Sequence, residues 1–126
     1  MYKVGVGHDV SLEELKAVDP QPRCEGMRCT RRSYAADGAV RDEGRYVELL
    51  FSMLPDATTY QSVLGQFGVK EQLTSAVTVY LRDETYTWGR YNGVAVRPEP
   101  GRDVKWRGQF PRDITILVKD LEAIAE

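Results

Sequence analysis

Alternation of apolar and polar residues is the dominant pattern along the chain, and it predicts β-strands. In "RYVELLFSML" (45–54) four apolar side chains share one face of an extended segment. The same period of two recurs in "SAVTVYLRD" (75–83) and "RDITILVKDL" (112–121). We also expect strands in "ETYTWGRY" and "GVAVRP", joined by a tight turn at Asn92-Gly93.

The segment "TRRSYAADGAVRDEGRY" (30–46) predicts a long charged hairpin. A weakly alternating strand, "MRCTRRSY" (27–34), comes before it, and the strand at 45–54 comes after it. "AADG" and "DEG" supply turn residues between the two strands. Two prolines in "PEPGRD" (98–103) predict a loop, because proline lacks the N–H that a strand ladder uses.

One amphipathic helix is predicted over 56–67. Asp56 can cap it, and Tyr60, Leu64 and Phe67 recur at helical spacing. Gly68 stands where a helix ends through a left-handed residue.

Residues 1–28 differ in sequence pattern from the rest of the chain, and we expect them to form an N-terminal arm or lid. "MYKVGVG" predicts a short strand, and Ser11 with Glu14 has the spacing of a capping box that begins a short helix. Pro20 and Pro22 would end that helix. Residues 29–126 would then form one β-sandwich domain.

The predicted order of elements in the domain, β-β-α-β-β-β-β, favours a mainly β fold of the α+β type. We expect an antiparallel β-sandwich or barrel-like sheet with one flanking helix, the long charged hairpin and the short N-terminal arm.

Composition places limits on function. The 126 residues suggest one domain, and 42% hydrophobic residues make wholesale disorder improbable. The net charge of −2 argues against a dedicated binder of duplex DNA, which would carry a basic excess. No run approaches the roughly 18 apolar residues that cross a bilayer, and the start lacks a signal-peptide core, so we expect synthesis in the cytoplasm and no membrane contact.

Candidate chemistry is sparse. Cys24, Cys29 and His8 offer three zinc ligands where four are usual, so we expect reduced thiols, no metal and no cofactor. No nucleophile motif surrounds any serine, and His8 is interpreted as a surface or interface residue. We therefore expect no enzymatic activity and no catalytic residue.

The charges of the hairpin favour a solvated or interface loop over an acid–base site. A general acid and base need a carboxyl whose pKa is shifted by burial or by a neighbour, whereas these carboxyls lie among arginines on a turn-rich segment. We expect an oligomer interface or a channel loop built from five residues: Asp37, Arg41, Asp42, Glu43 and Arg45.

Aromatic residues interleaved with basic ones form the other candidate binding feature. "YTWGRYNG" and "RDVKWRGQF" contain the possible interface aromatics Trp88, Tyr91 and Trp106. Such residues can belong to a strand core, to a protein interface, or to a surface that stacks the bases of single-stranded nucleic acid. We favour core or protein interface, and keep a single-strand-binding β-module as the alternative.

The whole chain resembles a known group. "YVELLFSML" leads into the helical "ATTYQSVLGQFG", followed by "AVTVYLRDETYTW", a proline-rich loop and "RDITILVKDL". Over residues 29–121 this order is similar to the small tail proteins of long-tailed bacteriophages and gene transfer agents, the minor tail, distal tail and tail-tube group.

The resemblance implies a structural virion protein whose hairpins join subunits into a ring, of six or three copies, around the tail channel. It implies a place at the tail tube, its end or its distal tip, with other phage tail proteins as partners and passing contact with DNA in the channel. The segment 34–46 would lie near that channel or a neighbouring subunit. A capsid decoration protein is a further alternative.

Overall fold

The computed structural model describes residues 1–24, 26–34, 36, 38, 40–83, 85–108 and 110–124; within them, the side chains of 29–34 and 40–43 lie outside the description. The elements, in chain order, are β1 (Lys3–Val6), β2 (Lys16–Ala17), β3 (Arg28–Tyr34), β4 (Val40–Met53), α1 (Ala57–Gln66), β5 (Thr74–Arg82), β6 (Trp88–Val96), β7 (Lys105–Arg107) and β8 (Phe110–Ala123).

The strands form one antiparallel sheet in the order β2-β1-β5-β6-β8-β4-β3, and β7 pairs with the start of β8. The sheet curls into a half-barrel, which confirms the predicted mainly β fold with one helix. β2 lies at one end of the sheet and β3 at the other, so the chain from 18 to 27 connects the two ends.

The core follows the predicted alternation. The inward residues of the strands predicted over 45–54, 75–83 and 112–121 are almost completely buried, with Val47, Val77 and Ile116 each at 0% exposure. Helix α1 contacts β1 and β8 and adds its apolar stripe to the same core. Burying this set is the main stabilising contribution, at about 25 cal/mol per Å² of apolar surface.

The helix confirms the prediction over 56–67 closely. The Asp56 carboxylate accepts the backbone N–H of Thr59 at 2.8 Å, which is the N-cap bond. Tyr60 and Leu64 are buried on the core side. Gly68, with φ of 72°, takes the left-handed conformation that carries the chain out of the helix.

The predicted N-terminal helix is wrong. Residues 11–15 make a single turn, in which the N–H groups of Glu14 and Leu15 both bond to the Ser11 carbonyl, and β2 follows at once. The segment 1–28, which we expected to form an arm, contributes β1 to the sheet and Val4, Val18 and Cys24 to the core cluster.

Two turn predictions are also wrong. Asn92 and Gly93 lie inside a continuous β6, at an irregularity in its pairing with β8. The turn between β5 and β6 lies instead where Asp83 N–H bonds to the Thr87 carbonyl and Tyr86 N–H to the Asp83 carbonyl. Gly93 is needed in β6 because Val118 and Leu121 approach its backbone closely. "DEG" (42–44), which we expected to form a turn, belongs to β4.

Candidate assembly interface

The β3–β4 hairpin extends beyond the part of the sheet that supports it. Its pairs run from Arg28 opposite Tyr46 to Tyr34 opposite Val40. In the described pairings β4 meets β8 only between Val47 and Met53. Seven residues at about 3.3 Å each give an extension of roughly 20 Å. A two-stranded ribbon is marginally stable in water by itself, so this segment is suited to being covered by another chain.

Four of the predicted interface residues, Arg41, Asp42, Glu43 and Arg45, occupy strand β4 rather than a turn. The register opposes Arg41 to Ser33, Asp42 to Arg32, and Glu43 to Arg31. The side chains of the residues in these three pairs lie outside the described set, as does Asp37 altogether. Two acids therefore face arginines across the ladder, an arrangement that favours this register.

Arg45 lies at the base of the hairpin and makes contacts within its own chain. Its Nη2 donates to the Met27 sulfur at 3.4 Å. The pKa of the Asp83 carboxyl is lowered, chiefly by the N–H of Thr87 and also by the Thr85 side chain, with a smaller contribution from the charge of Arg45. Arg45 therefore contacts Met27 at the start of the hairpin, and its charge acts weakly on Asp83.

The opposite end of the sheet carries the opposite charge. Both residues of β2 are exposed, and so are Glu13 and Glu14 in the turn before it. Residues 9–19 contain four acids and one lysine, whereas the hairpin over 28–46 contains five arginines and three acids. The half-barrel is thus acidic at its β2 end and basic at its β3 end.

A concave surface adjoins the acidic end, and we name it the β1 groove. It encloses about 410 Å³ and is lined by Val4, Gly5, Val6, Val10, Glu14, Lys16, Gly65 and Gln66. Val6 is 58% exposed, which is unusual for a valine in a strand. The lining combines three valines with two charged residues, a mixture that suits a protein contact.

Trp88 and Tyr91 are committed to contacts within the chain. Trp88 stacks on Tyr80 with ring centroids 5.3 Å apart, and Tyr2 approaches the same indole at 5.2 Å. Tyr91 is 7% exposed and belongs to the core cluster. Of the three interpretations that the sequence left open for Tyr91, the core position is the one observed.

Trp106 is the predicted aromatic that faces solvent. It is 46% exposed, and its ring meets Tyr60 edge-on with centroids 5.5 Å apart and planes at 85°. An open groove of about 330 Å³ runs beside it, which we name the Trp106 groove. Its lining comprises Ala57, Tyr60, Gln61, Leu64, Lys70, Arg97 and Trp106.

His8 takes part in a polar network that fixes residues 7–10 on the sheet. Its Nε2 lies 3.0 Å from the Gly93 carbonyl oxygen. Asp9 and Asn92 exchange two hydrogen bonds, and the Arg90 guanidinium donates to the Val10 carbonyl at 2.7 Å. His8 therefore helps to hold residues 7–10 on the sheet, which is a structural role.

The described residues offer little toward a metal or thiol centre. No three histidine, cysteine, aspartate or glutamate side chains converge within the described ranges. Cys24 is a free, buried thiol beside Tyr2. Burial raises the pKa of the Tyr2 hydroxyl, and the nearby Cys24 adds to that shift while Arg82 opposes it.

Sequence reasoning missed both grooves and the acidic end of the sheet. The spacing of Glu14 from Ser11 predicts a helix cap rather than a groove. Lys70 and Arg97 lie 27 residues apart in sequence, so no local pattern connects them. The charge count of residues 9–19 was the one available signal for the acidic end. That charge count identifies an acidic sheet end only once the strand order is known, because the strand order places β2 and β3 at opposite ends of the sheet.

Comparison with known proteins found no matching family model, no matching curated protein and no matching solved structure. In the described part of the chain, no helix has the length and apolar character that a membrane span requires. The resemblance to phage tail proteins stays a prediction from the sequence.

Proposed function

We propose that this chain is a structural subunit that self-associates head to tail into a ring, and that it serves in the tail of a phage-like virion, at the tube, its end or its distal tip. The observation that carries the self-association is the opposite charge of the two open ends of one curled sheet. In this proposal the chain has no catalytic role.

Open sheet ends favour association because their outer N–H and C=O groups lack strand partners. Here the two ends differ in charge, so like ends repel each other and unlike ends attract. That preference selects a head-to-tail contact over a two-fold one. Head-to-tail contacts close into rings when the rotation between subunits permits it.

The hairpin supplies the second argument. Ordering its two strands costs conformational entropy of about 1–2 kcal/mol per residue, and in the described pairings β4 meets β8 only from Val47 onward. A neighbouring copy would bury it. The β1 groove, whose lining includes Val6, Glu14 and Lys16, is a concave surface at the acidic end.

Assignment to a virion tail is supported by the whole-chain resemblance described above, and not by the geometry. A capsid decoration protein would use the same association in another place. Immunogold labelling of purified particles would separate the two, because a tail component labels the tail and a decoration protein labels the shell.

The test of self-association is sedimentation velocity of the purified chain over a range of concentrations, with negative-stain electron microscopy of the fastest species. We expect closed rings whose stability falls as salt rises, because salt screens contacts between exposed charges. A chain that stays monomeric at high concentration and low salt would refute the proposal.

A further inference from the structure

The Trp106 groove combines a solvent-facing aromatic ring with unpaired cations. The indole of Trp106 is about half exposed, and Tyr60 braces it edge-on. Both Lys70 and Arg97 are exposed and line the same groove. Among the described residues neither side chain has a hydrogen-bond or ion-pair partner, in contrast to Arg102, which pairs with Glu99.

The polar groups of the groove are mainly hydrogen-bond donors. Lys70 and Arg97 donate only, the Trp106 indole N–H donates only, and Gln61 can donate through its amide. Burial raises the pKa of the Tyr60 hydroxyl, so it stays protonated at neutral pH and can donate as well; Arg97 lowers that pKa and Asp103 raises it further. A ligand for such a groove is rich in acceptors and carries negative charge.

The aromatic ring narrows the class of ligand further. A planar apolar face beside two cations matches a base with its phosphates, because bases stack on exposed rings while lysine and arginine bind the backbone. The volume of about 330 Å³ lies at the small end of ligand sites, enough for one or two nucleotides. An acidic peptide would pair with Lys70 and Arg97, but its carboxylates would not stack on the Trp106 ring.

Trp88 differs from Trp106 in how far its ring is available to stack on a base. Its indole already stacks on Tyr80 and meets Tyr2, so its ring is engaged within the chain. A surface that used both tryptophans together would need Trp88 to leave that cluster. The structure therefore favours one local site rather than the extended aromatic surface suggested by the sequence.

We propose that the Trp106 groove binds single-stranded nucleic acid, with one base stacked on Trp106 and the adjoining phosphates held by Lys70 and Arg97. This binding goes beyond the assembly role and does not depend on it. The net charge of −2 means that affinity is local and modest rather than spread over a basic surface.

The test uses Trp88→Phe, which leaves Trp106 as the single fluorescent tryptophan. Addition of octathymidylate at low salt should quench its fluorescence and should raise the anisotropy of a labelled copy of the oligonucleotide. A duplex of the same length and an abasic oligomer of the same charge should bind several-fold more weakly, because neither presents a free base.

Variants locate the site by their effect on the anisotropy titration. Trp106→Ala should weaken binding about tenfold, since one stacked base is worth about 1–3 kcal/mol, and Trp106→Phe should retain most of the affinity. Lys70→Ala and Arg97→Ala should each reduce the slope of log affinity against log salt by about one. Arg102→Ala, a paired cation that does not line the groove, is the matched control and should change affinity less than twofold.

Three results would overturn the inference. The first is the absence of quenching or anisotropy change at low salt. The second is equal binding of the abasic oligomer together with full affinity of Trp106→Ala. The third is equal competition by polyglutamate, which would make the groove an acidic-peptide surface. Circular dichroism melts of each variant separate loss of binding from loss of fold.

Discussion

Replacement of Thr78 by valine tests whether the N-terminal segment is part of the folded domain. Thr78 is fully buried, and its hydroxyl is the centre of the network that holds residues 7–10. It donates to the Gly7 carbonyl at 2.8 Å and accepts the Val10 N–H at 3.2 Å, with the Asn92 side-chain oxygen 3.3 Å away. Valine keeps the shape of the side chain and removes all three contacts.

The expected loss follows from those contacts. Each backbone group left without its partner costs about 1–3 kcal/mol if it stays buried. Water can reach part of residues 7–10, and the added methyl group recovers some hydrophobic transfer energy, so we expect a net destabilisation of about 2 kcal/mol. For a domain of this size that corresponds to a fall in melting temperature of roughly 6 to 8 °C.

Urea denaturation followed by circular dichroism measures the free energy of unfolding, and Thr78→Ser is the matched control because it keeps the hydroxyl. Thr78→Ser should lose clearly less stability than Thr78→Val, with similar m-values for both. If Thr78→Val is as stable as the parent chain, the network does not hold residues 7–10, and the account of the N-terminal segment is wrong.

Three other predictions use the same stability assay. Gly93→Ala should destabilise by about 1–3 kcal/mol, because a Cβ there would lie 2.9 Å from Val118 Cγ1 and 3.1 Å from the Lys119 carbonyl oxygen; wild-type stability would contradict the tight packing. Gly65→Ala, its counterpart in the helix with nothing within 4 Å of the added carbon, should stabilise by up to about 1 kcal/mol, and a loss would show that the β1 groove is less open than described. Acidification tests the Asp56 cap. Hydrogen bonds from Thr59 lower the pKa of the Asp56 carboxyl in the folded chain. The stability that the cap contributes is therefore complete above the unfolded pKa of about 3.9 and is lost as the pH falls through the lowered value. Between pH 5 and 2 the parent should therefore lose more stability than Asp56→Asn, and equal losses would contradict the cap.

Local patterns predicted the parts of the fold that local chemistry decides. The alternation at 112–121 marked a buried strand because both its period and its β-branched residues are properties of the segment itself. Asp56 and the stripe through Phe67 likewise specified the helix. The residues of each segment were enough to predict its secondary structure, so no tertiary information was needed.

The errors arise where tertiary contacts override local preference. Ser11 and Glu14 fit a helix cap, but Leu15 and Val18 are buried in the folded chain, and residues 3–6 and 16–17 form strands β1 and β2 instead. Asn92-Gly93 fits a hairpin turn, yet glycine there serves the close approach of β8. The candidate interface depends on which strands end the sheet, and no local pattern contains that information.

The central claim is head-to-tail association of unlike sheet ends, and charge exchange tests it most directly. Glu13→Lys/Glu14→Lys reverses exposed acids beside β2, and Arg28→Glu/Arg41→Glu reverses two of the five hairpin arginines, at the ladder positions opposite Tyr46 and Ser33. In light scattering at low salt, we predict that the parent chain assembles, that each double variant alone stays monomeric, and that an equimolar mixture of the two assembles again. If each variant assembles as the parent does, or if the mixture stays monomeric while the parent assembles, the claim that unlike ends associate is contradicted.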